Sequence, residues 1–146
     1  MANQLRNVMT PQVIAVTPEQ TLQQAAALMS QYNIGCLPVI QQNGQLCGMI
    51  TDRDIALRCV AAGVNSIAPV GQCMSTTNLV CGTPDMDAHE AARLMSDFQI
   101  RRLPVVEQNG QVVGMVALGD LATEQIYANE AGQALSSISV PSIPQV

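Results

Sequence analysis

The stretch Gly48-Met49-Ile50-Thr51-Asp52-Arg53-Asp54 decides how this chain folds. With Leu46 and Cys47 ahead of it, its first half is apolar and reads as a strand. Its second half is polar and opens the helical pattern of Ile55, Ala56 and Leu57. Thr51 to Asp54 therefore form an elbow, where free backbone N–H groups and the helix dipole favour an anion. A carboxylate such as Asp54 accepts two hydrogen bonds side by side, and the vicinal diol of a ribose offers two donors at about that spacing. Thr51 adds a hydroxyl, and Arg53 adds a cation suited to phosphate. The same Thr-x-x-Asp spacing is also an acidic variant of the capping box, which closes a helix end and binds nothing.

The elbow belongs to a plan that is written twice. Ahead of it, Leu5 to Pro11 reads as a short turn of helix, and Val13, Ile14 and Val16 as a short strand. Thr17-Pro18-Glu19-Gln20 reads as a helix start: Thr17 caps, Pro18 takes the first helical position and Gln20 closes a capping box. Leu22, Ala25, Ala26 and Met29 give that helix one apolar face, and it ends near Tyr32 or Asn33. Cys36-Leu37-Pro38-Val39-Ile40 is a strand in which the Pro38 nitrogen must face away from the ladder, or else open it. Asn43-Gly44 turns the chain back into the strand Leu46 to Ile50. A helix follows from Asp54, with Ile55, Cys59 and Ala62 on one face and Gly63 as its stop.

From Ile67 the plan restarts. Val70 to Ser75 mirrors Leu5 to Thr10, and Thr83-Pro84-Asp85 repeats the helix start. Ala88, Ala91, Ala92 and Met95 repeat the apolar face. Leu103-Pro104-Val105-Val106, Asn109-Gly110, Gly114-Met115 and Asp120 repeat the rest. At a fixed offset of 66, residues 17–55 match residues 83–121 at 18 of 39 positions, far above chance, so the chain is an internal duplication. Each copy reads strand, helix, hairpin, helix, a β-α-β-β-α unit of mixed α/β (α+β) class. A unit of about 60 residues is marginal alone, so two copies are expected to pack as a pseudo-twofold pair. The expected boundaries are 5–62 and 67–127, with a tail over 128–146. In that region Thr123 to Ala131 extends the last helix, Gly132 breaks it, and the Ser- and Pro-containing end reads as a loose tail or strap.

Composition narrows the function. The 146 residues are 48% hydrophobic but only 2% aromatic, so the core is aliphatic. No apolar run reaches the ~18 residues of a membrane span, and the first residues carry no signal pattern; a cytoplasmic location follows by default. Net charge is −5 and all six cations are arginine, which argues against nucleic-acid or anionic-membrane partners. The five cysteines form no Cys-x-x-Cys pair and their number is odd. Cys36, Cys47 and Cys81 are expected to be small core residues. A single histidine, His89, makes a metal site or a histidine-based catalytic group unexpected, and no catalytic set or Walker-type loop appears.

The order of Met9-Thr10-Pro11, Thr17-Pro18, Leu37-Pro38-Val39, Asn43-Gly44 and Gly48-x-x-Thr51-x-x-Asp54, most of it given twice, resembles a tandem CBS-domain pair, or Bateman module, over about residues 5–125. The resemblance implies a regulatory, non-catalytic module. It implies an adenosine-containing ligand (AMP, ADP, ATP or S-adenosylmethionine) bound in the clefts between the repeats, and no other cofactor. It carries the ribose contact onto Thr51 and Asp54 and the phosphate contact onto Arg53. It carries base or phosphate contacts onto Gly35, Cys36, Leu37 and Pro38, and onto Ile100, Arg101, Arg102, Leu103 and Pro104. The early strands Val13 to Val16 and Leu79 to Cys81 are expected to wall the base.

The second copy keeps Asp120 but reads Ala117-Leu118-Gly119-Asp120, without the hydroxyl or the adjacent cation. One good site is therefore expected, built on Thr51, Arg53 and Asp54 and completed by the Arg101-Arg102 strand entry, with the Asp120 site weaker or empty. Two copies of the acid, with a hydroxyl in only one, suggest that capping is not what both elbows share. The family also implies a homodimer through helical faces, with Leu22 to Met29 and Ala88 to Met95 as candidates, and a regulated protein as a further partner. The competing expectation is a ligand-free, dimeric protein-interaction scaffold.

Overall fold

A computed structural model describes residues 3–77 and 79–122. The expected continuation of the last helix past Ala122 and the 128–146 tail lie outside these residues. The elements are α1 (Leu5–Val8), α2 (Leu22–Tyr32), β1 (Cys36–Ile40), β2 (Leu46–Thr51) and α3 (Asp52–Asp54), which runs into a π-helical turn, Ile55–Val60. A 3-10 turn, Val70–Gln72, is followed by α4 (Ala88–Phe98), β3 (Arg102–Val106), β4 (Val112–Ala117) and α5 (Leu118–Ala122). Every boundary of α2, β1 and β2 recurs 66 residues later in α4, β3 and β4, so the duplication read from the sequence is a duplication of structure.

The described residues form two compact units. One, called here the Thr51 unit, takes residues 13–77, 79 and 106–112. The other, the Asp120 unit, takes residues 3–12, 80–105 and 113–122. In the Thr51 unit, Leu22, Ala25 and Met29 of α2 pack on Leu37, Val39, Ile50, Cys59, Val70 and Cys73. In the Asp120 unit, Ala88, Ala91, Ala92 and Met95 of α4 pack on Leu5, Leu103, Val105, Val116 and Leu121. The apolar rows of both helices are thus spent on cores. That removes them as candidate dimer faces. Ala26, expected on the buried face of α2, is exposed.

Both helices start one turn later than expected. Thr17 to Gln20 is a turn in which Gln20 Oε1 accepts from Thr17 N at 2.9 Å. The cap of α2 is Thr21, whose Oγ1 accepts from Gln24 N at 3.1 Å while Gln24 Oε1 accepts from Thr21 N at 2.9 Å. In the second copy the cap is Asp87, accepting from His89 N at 2.7 Å. Thr17-Pro18 and Thr83-Pro84 carry a helix-start signature but spend it on turns, because a second capping residue follows four positions on. Helix α2 does end at Tyr32, with Asn33 in the left-handed region at φ 53°.

β1 and β2 form an antiparallel hairpin in which Leu37 faces Ile50 and Pro38 faces Met49; β3 and β4 form the equivalent pair. The expected early strands shrink to single parallel bridges, Val16 to Val39 and Gly82 to Val105. Val16 N donates to Pro38 O at 3.1 Å and Ile40 N to Val16 O at 2.8 Å. The Pro38 nitrogen lies one step before that parallel pairing, where no donor is needed. At the hairpin tips Gly44 and Gly110 hold φ +86° and +88°, a backbone region that suits glycine. The tips also pair reciprocally: Gln45 Nε2 donates to Asn109 O at 2.8 Å, and Gln111 Nε2 to Asn43 O at 3.0 Å.

The third partner of each hairpin comes from the segment mirrored in sequence. Met49 and Ser75 exchange backbone bonds at 3.0 and 2.8 Å, as do Thr10 and Met115 at 2.8 and 3.0 Å. This explains Gly48 and Gly114. A Cβ on Gly48 would lie 2.8 Å from Met74 Sδ and 3.0 Å from Ser75 O. On Gly114 it would lie 2.5 Å from Met9 Sδ and 3.1 Å from Thr10 O. Each glycine admits a neighbouring strand and its methionine. Gly48→Ala should therefore cost about 1–3 kcal/mol of stability through overpacking. Gly119→Ala, with nothing within 4 Å, should be neutral or raise stability by up to ~1 kcal/mol through helix propensity. Chemical denaturation of the two variants checks this, and equal effects would contradict it.

Candidate functional site

The predicted residues fall into two sets, one in each unit. In the Thr51 unit, β2 ends at Thr51 and α3 begins at Asp52. Thr51 Oγ1 accepts from Asp54 N at 3.0 Å, and Asp54 Oδ2 accepts from Thr51 N at 3.0 Å. The capping box is therefore formed in full. In the Asp120 unit, Asp120 Oδ2 accepts from Ala117 N at 3.1 Å, although Ala117 offers no hydroxyl. This corrects the expectation that capping is not common to both elbows. The acid reaching back to the last strand amide is what they share, and the threonine hydroxyl is an addition to one of them.

The cap does not exhaust Asp54. It engages Oδ2, and among the described residues Oδ1 accepts no hydrogen bond. Asp54 and Thr51 are half-buried and Arg53 is exposed. One side of the carboxylate is held to backbone while the other remains available. The threonine hydroxyl accepts from Asp54 N and keeps its own proton for donation.

The run into β1 is tied to the elbow. Asp52 N donates to Gly35 O at 2.9 Å, and in the other unit Leu118 N donates to Arg101 O at 2.7 Å. Gly35 and Cys36 are half-buried; Arg101 is exposed and Arg102 half-buried. Leu37 and Leu103 are 0% exposed and lie in the cores, so what they can offer a ligand is backbone. Pro38 and Pro104 are buried as well, and their carbonyls accept from Val16 N and Gly82 N.

Asp52 is a residue the sequence reading passed over. Its Oδ1 accepts from Arg53 N at 2.8 Å, and a Cβ on Gly35 would lie 3.0 Å from its Oδ2. The glycine makes room for the acid. The signal was in the repeat, because the offset of 66 pairs Gly35 and Asp52 with Arg101 and Leu118. One copy has a small residue beside an acid where the other has a cation beside a buried leucine.

The cysteines also depart from expectation. Cys59 and Cys73 form a disulfide, with Cα atoms 6.5 Å apart. Cys81 is exposed, and Cys36 and Cys47 are only half-buried. Burial pushes the Cys47 thiol up, with a smaller contribution from the Glu19 carboxylate; burial of the sulfur also pushes Cys81 up. Among the described residues no three His, Cys, Asp or Glu side chains converge as a metal ion would need, and no helix is long and apolar enough to cross a membrane.

A family model for the CBS domain matches residues 5–60 and again 70–127. The chain belongs to the CBS-domain family. It is 53% identical over 135 residues to the CBS domain-containing protein YhcV of Bacillus subtilis, covering 92% of this chain and 94% of that one. Among solved structures it resembles CBSX2 in complex with AMP, at 25% identity and TM-score 0.73, over 86% of this chain and 98% of that one. It also resembles the CBS-domain pair of protein MJ0100 in complex with 5-methylthioadenosine and S-adenosyl-L-methionine, at 26% identity and TM-score 0.74, over 83% and 98%. The expected fold, two CBS repeats of mixed helix and strand, is thus the fold found.

Asp54→Ala and Asp120→Ala each remove a cap and should each cost about 0.5–2 kcal/mol, measured by urea denaturation; a loss at Asp54 alone would contradict the shared role. The raised Cys47 pKa has a signed consequence. Its contribution to stability is complete below the ordinary thiol value of about 8.5 and is lost as pH rises through the higher native value. At pH 8.5 native Cys47 should react with iodoacetamide more slowly than in the unfolded chain, read by peptide mass spectrometry; equal rates would contradict the shift.

Proposed function

We propose that this CBS-domain pair is a regulatory module that senses an adenosine-containing nucleotide (AMP, ADP, ATP or S-adenosylmethionine) through the Thr51–Asp54 elbow. The single observation that supports this is a half-buried carboxylate with one oxygen pinned by Thr51 N and the other uncommitted among the described residues. Pinning fixes the carboxylate before a ligand arrives, which lowers the ordering cost of binding. A ribose hydroxyl donates to Asp54 Oδ1, the Thr51 hydroxyl sits beside it, and Arg53 meets phosphate. Gly35, Cys36, Leu37 and Pro38 supply the backbone of the run into β1. Arg101, Arg102, Leu103 and Pro104 contribute from their own unit, with Asp120 the weaker acid. The missing hydroxyl contact there is worth about 0.5–1.5 kcal/mol. Binding shifts the chain toward the arrangement the nucleotide fits best, and a second copy or a regulated protein reads it. The module is not itself an enzyme, and its place of action is the cytoplasm.

A second reading is favoured by a specific observation: Asp54 and Asp120 both turn to their own backbone. If capping is their entire role, the protein is a ligand-free, dimeric interaction scaffold. Calorimetry with the four ligands separates the two readings. The nucleotide reading expects saturable binding by at least one, weakened about tenfold or more in Asp54→Ala, since a hydrogen bond to a charged group is worth about 1.5–3 kcal/mol. A fold check of the variant by circular dichroism accompanies it. No heat with any ligand, or unchanged affinity in Asp54→Ala, overturns the nucleotide reading, and a stable dimer without nucleotide response establishes the scaffold.

A further inference from the structure

The helix that leaves the Thr51 elbow is lightly anchored, with Ile55 and Cys59 as its contacts to the core. Over Ile55–Val60 the only buried residue is Cys59. Leu57 is 55% exposed and Val60 69%, and Ile55 is half-buried. The hydrogen bonding is π-type, with Ala61 N on Ala56 O at 3.0 Å and Val64 N on Cys59 O at 2.8 Å, a rare geometry that tends to mark functional positions. The other tie is Arg58, whose Nη1 lies 3.3 Å from Cys73 O, 3.5 Å from Met74 O and 3.3 Å from Ser75 Oγ, long bonds at the surface. The disulfide joins Cys59 to Cys73. Cys73 in turn leads into Met74 and Ser75, the residues that pack on Gly48 and pair with Met49 of β2. The bridge therefore closes a triangle of elbow helix, flanking segment and strand, covalent at the disulfide and hydrogen-bonded between Ser75 and Met49.

The second copy has no such bridge. The position matching Cys59 is Gln125, and the one matching Cys73 is Val8. The bridged elbow is the one that also keeps the hydroxyl and the cation. Cys47 and Cys81 remain thiols, so the pair is not part of a saturated disulfide framework of the kind that staples small secreted domains.

We propose that the Cys59–Cys73 disulfide is a thiol-reversible lock on the helix carrying Asp54, and that the oxidised form binds nucleotide more tightly than the reduced form. The affinity part rests on the nucleotide reading above. The exchange is balanced with a dithiol as the reductant. Its thiolate attacks one sulfur and releases the other as a thiolate, and its second thiol resolves the mixed disulfide. Two cysteine thiols and one cyclic disulfide result, with two electrons and two protons passing from the dithiol to the protein. Reduction leaves the buried Cys59 thiol, the half-buried Ile55 and the long Arg58 bonds to hold the helix. The π-helical segment then opens more often, and the elbow spends less time in the arrangement that pins Asp54.

The test uses the full chain, air-oxidised or treated with dithiothreitol, beside Cys59→Ala/Cys73→Ala. Non-reducing peptide mapping should find residues 59 and 73 cross-linked before reduction and not after. Amide hydrogen exchange should accelerate at least tenfold over residues 52–64 in the reduced protein and in the double variant, with residues 22–32 unchanged. AMP affinity by calorimetry should fall at least threefold in both. An absent cross-link, or unchanged exchange over 52–64, overturns the lock. A changed exchange with equal AMP affinity in both forms overturns the control of binding. If AMP binds neither form, the nucleotide reading fails, and exchange alone then decides whether the lock stands.

Discussion

A carboxylate reaching back three residues to a backbone amide holds each strand to the helix that follows it. In the Thr51 unit the bond runs from Thr51 N to Asp54, and in the Asp120 unit from Ala117 N to Asp120. An unbonded amide at such a junction is costly, and an acid in the first turn also suits the helix dipole. The direction in which the chain leaves β2 and β4 depends on this bond. So does the placement of Asp52 N and Leu118 N on the carbonyls of Gly35 and Arg101. Capping and ligand contact are not rivals at Asp54, because a carboxylate has two oxygens and the cap takes one.

The hairpins depend on a second constraint, which acts at short range. Gly48 and Gly114 let a methionine and a strand backbone approach where any side chain would collide. Those partners are Met74-Ser75 and Met9-Thr10, the segments that open each copy of the plan in sequence. The helix after the Thr51 elbow gains a further covalent tie through Cys73. The elbow helix and the packing at Gly48 are thereby linked through three consecutive residues, Cys73, Met74 and Ser75.

Much of this was legible in the sequence. The offset of 66 located α4, β3, β4 and the start of α5 from their counterparts in the first copy, and Asn-Gly at both tips marked the hairpins, because glycine suits a positive φ there. Thr17-Pro18 misled, since its capping chemistry is genuine but serves a turn, and Thr21 four residues later starts the helix. The π-helical turn had no signature, as Ile55, Cys59 and Ala62 fit an α-helical face equally well. The disulfide was hidden because a separation of 14 residues matches no spacing rule and only the fold brings the sulfurs together. The backbone bond of Asp120 was overlooked because attention went to the missing hydroxyl instead of the amide both acids reach.

The central claim is that Asp54 caps with one oxygen and binds with the other. A crystal structure of the full chain grown with AMP tests it most directly. The account predicts Thr51 N still bonded to Asp54 Oδ2, with a ribose hydroxyl within hydrogen-bond distance of Oδ1 and the Thr51 hydroxyl beside the sugar. A nucleotide bound away from this elbow, or an Asp54 with both oxygens held by its own backbone while AMP is bound, would contradict it.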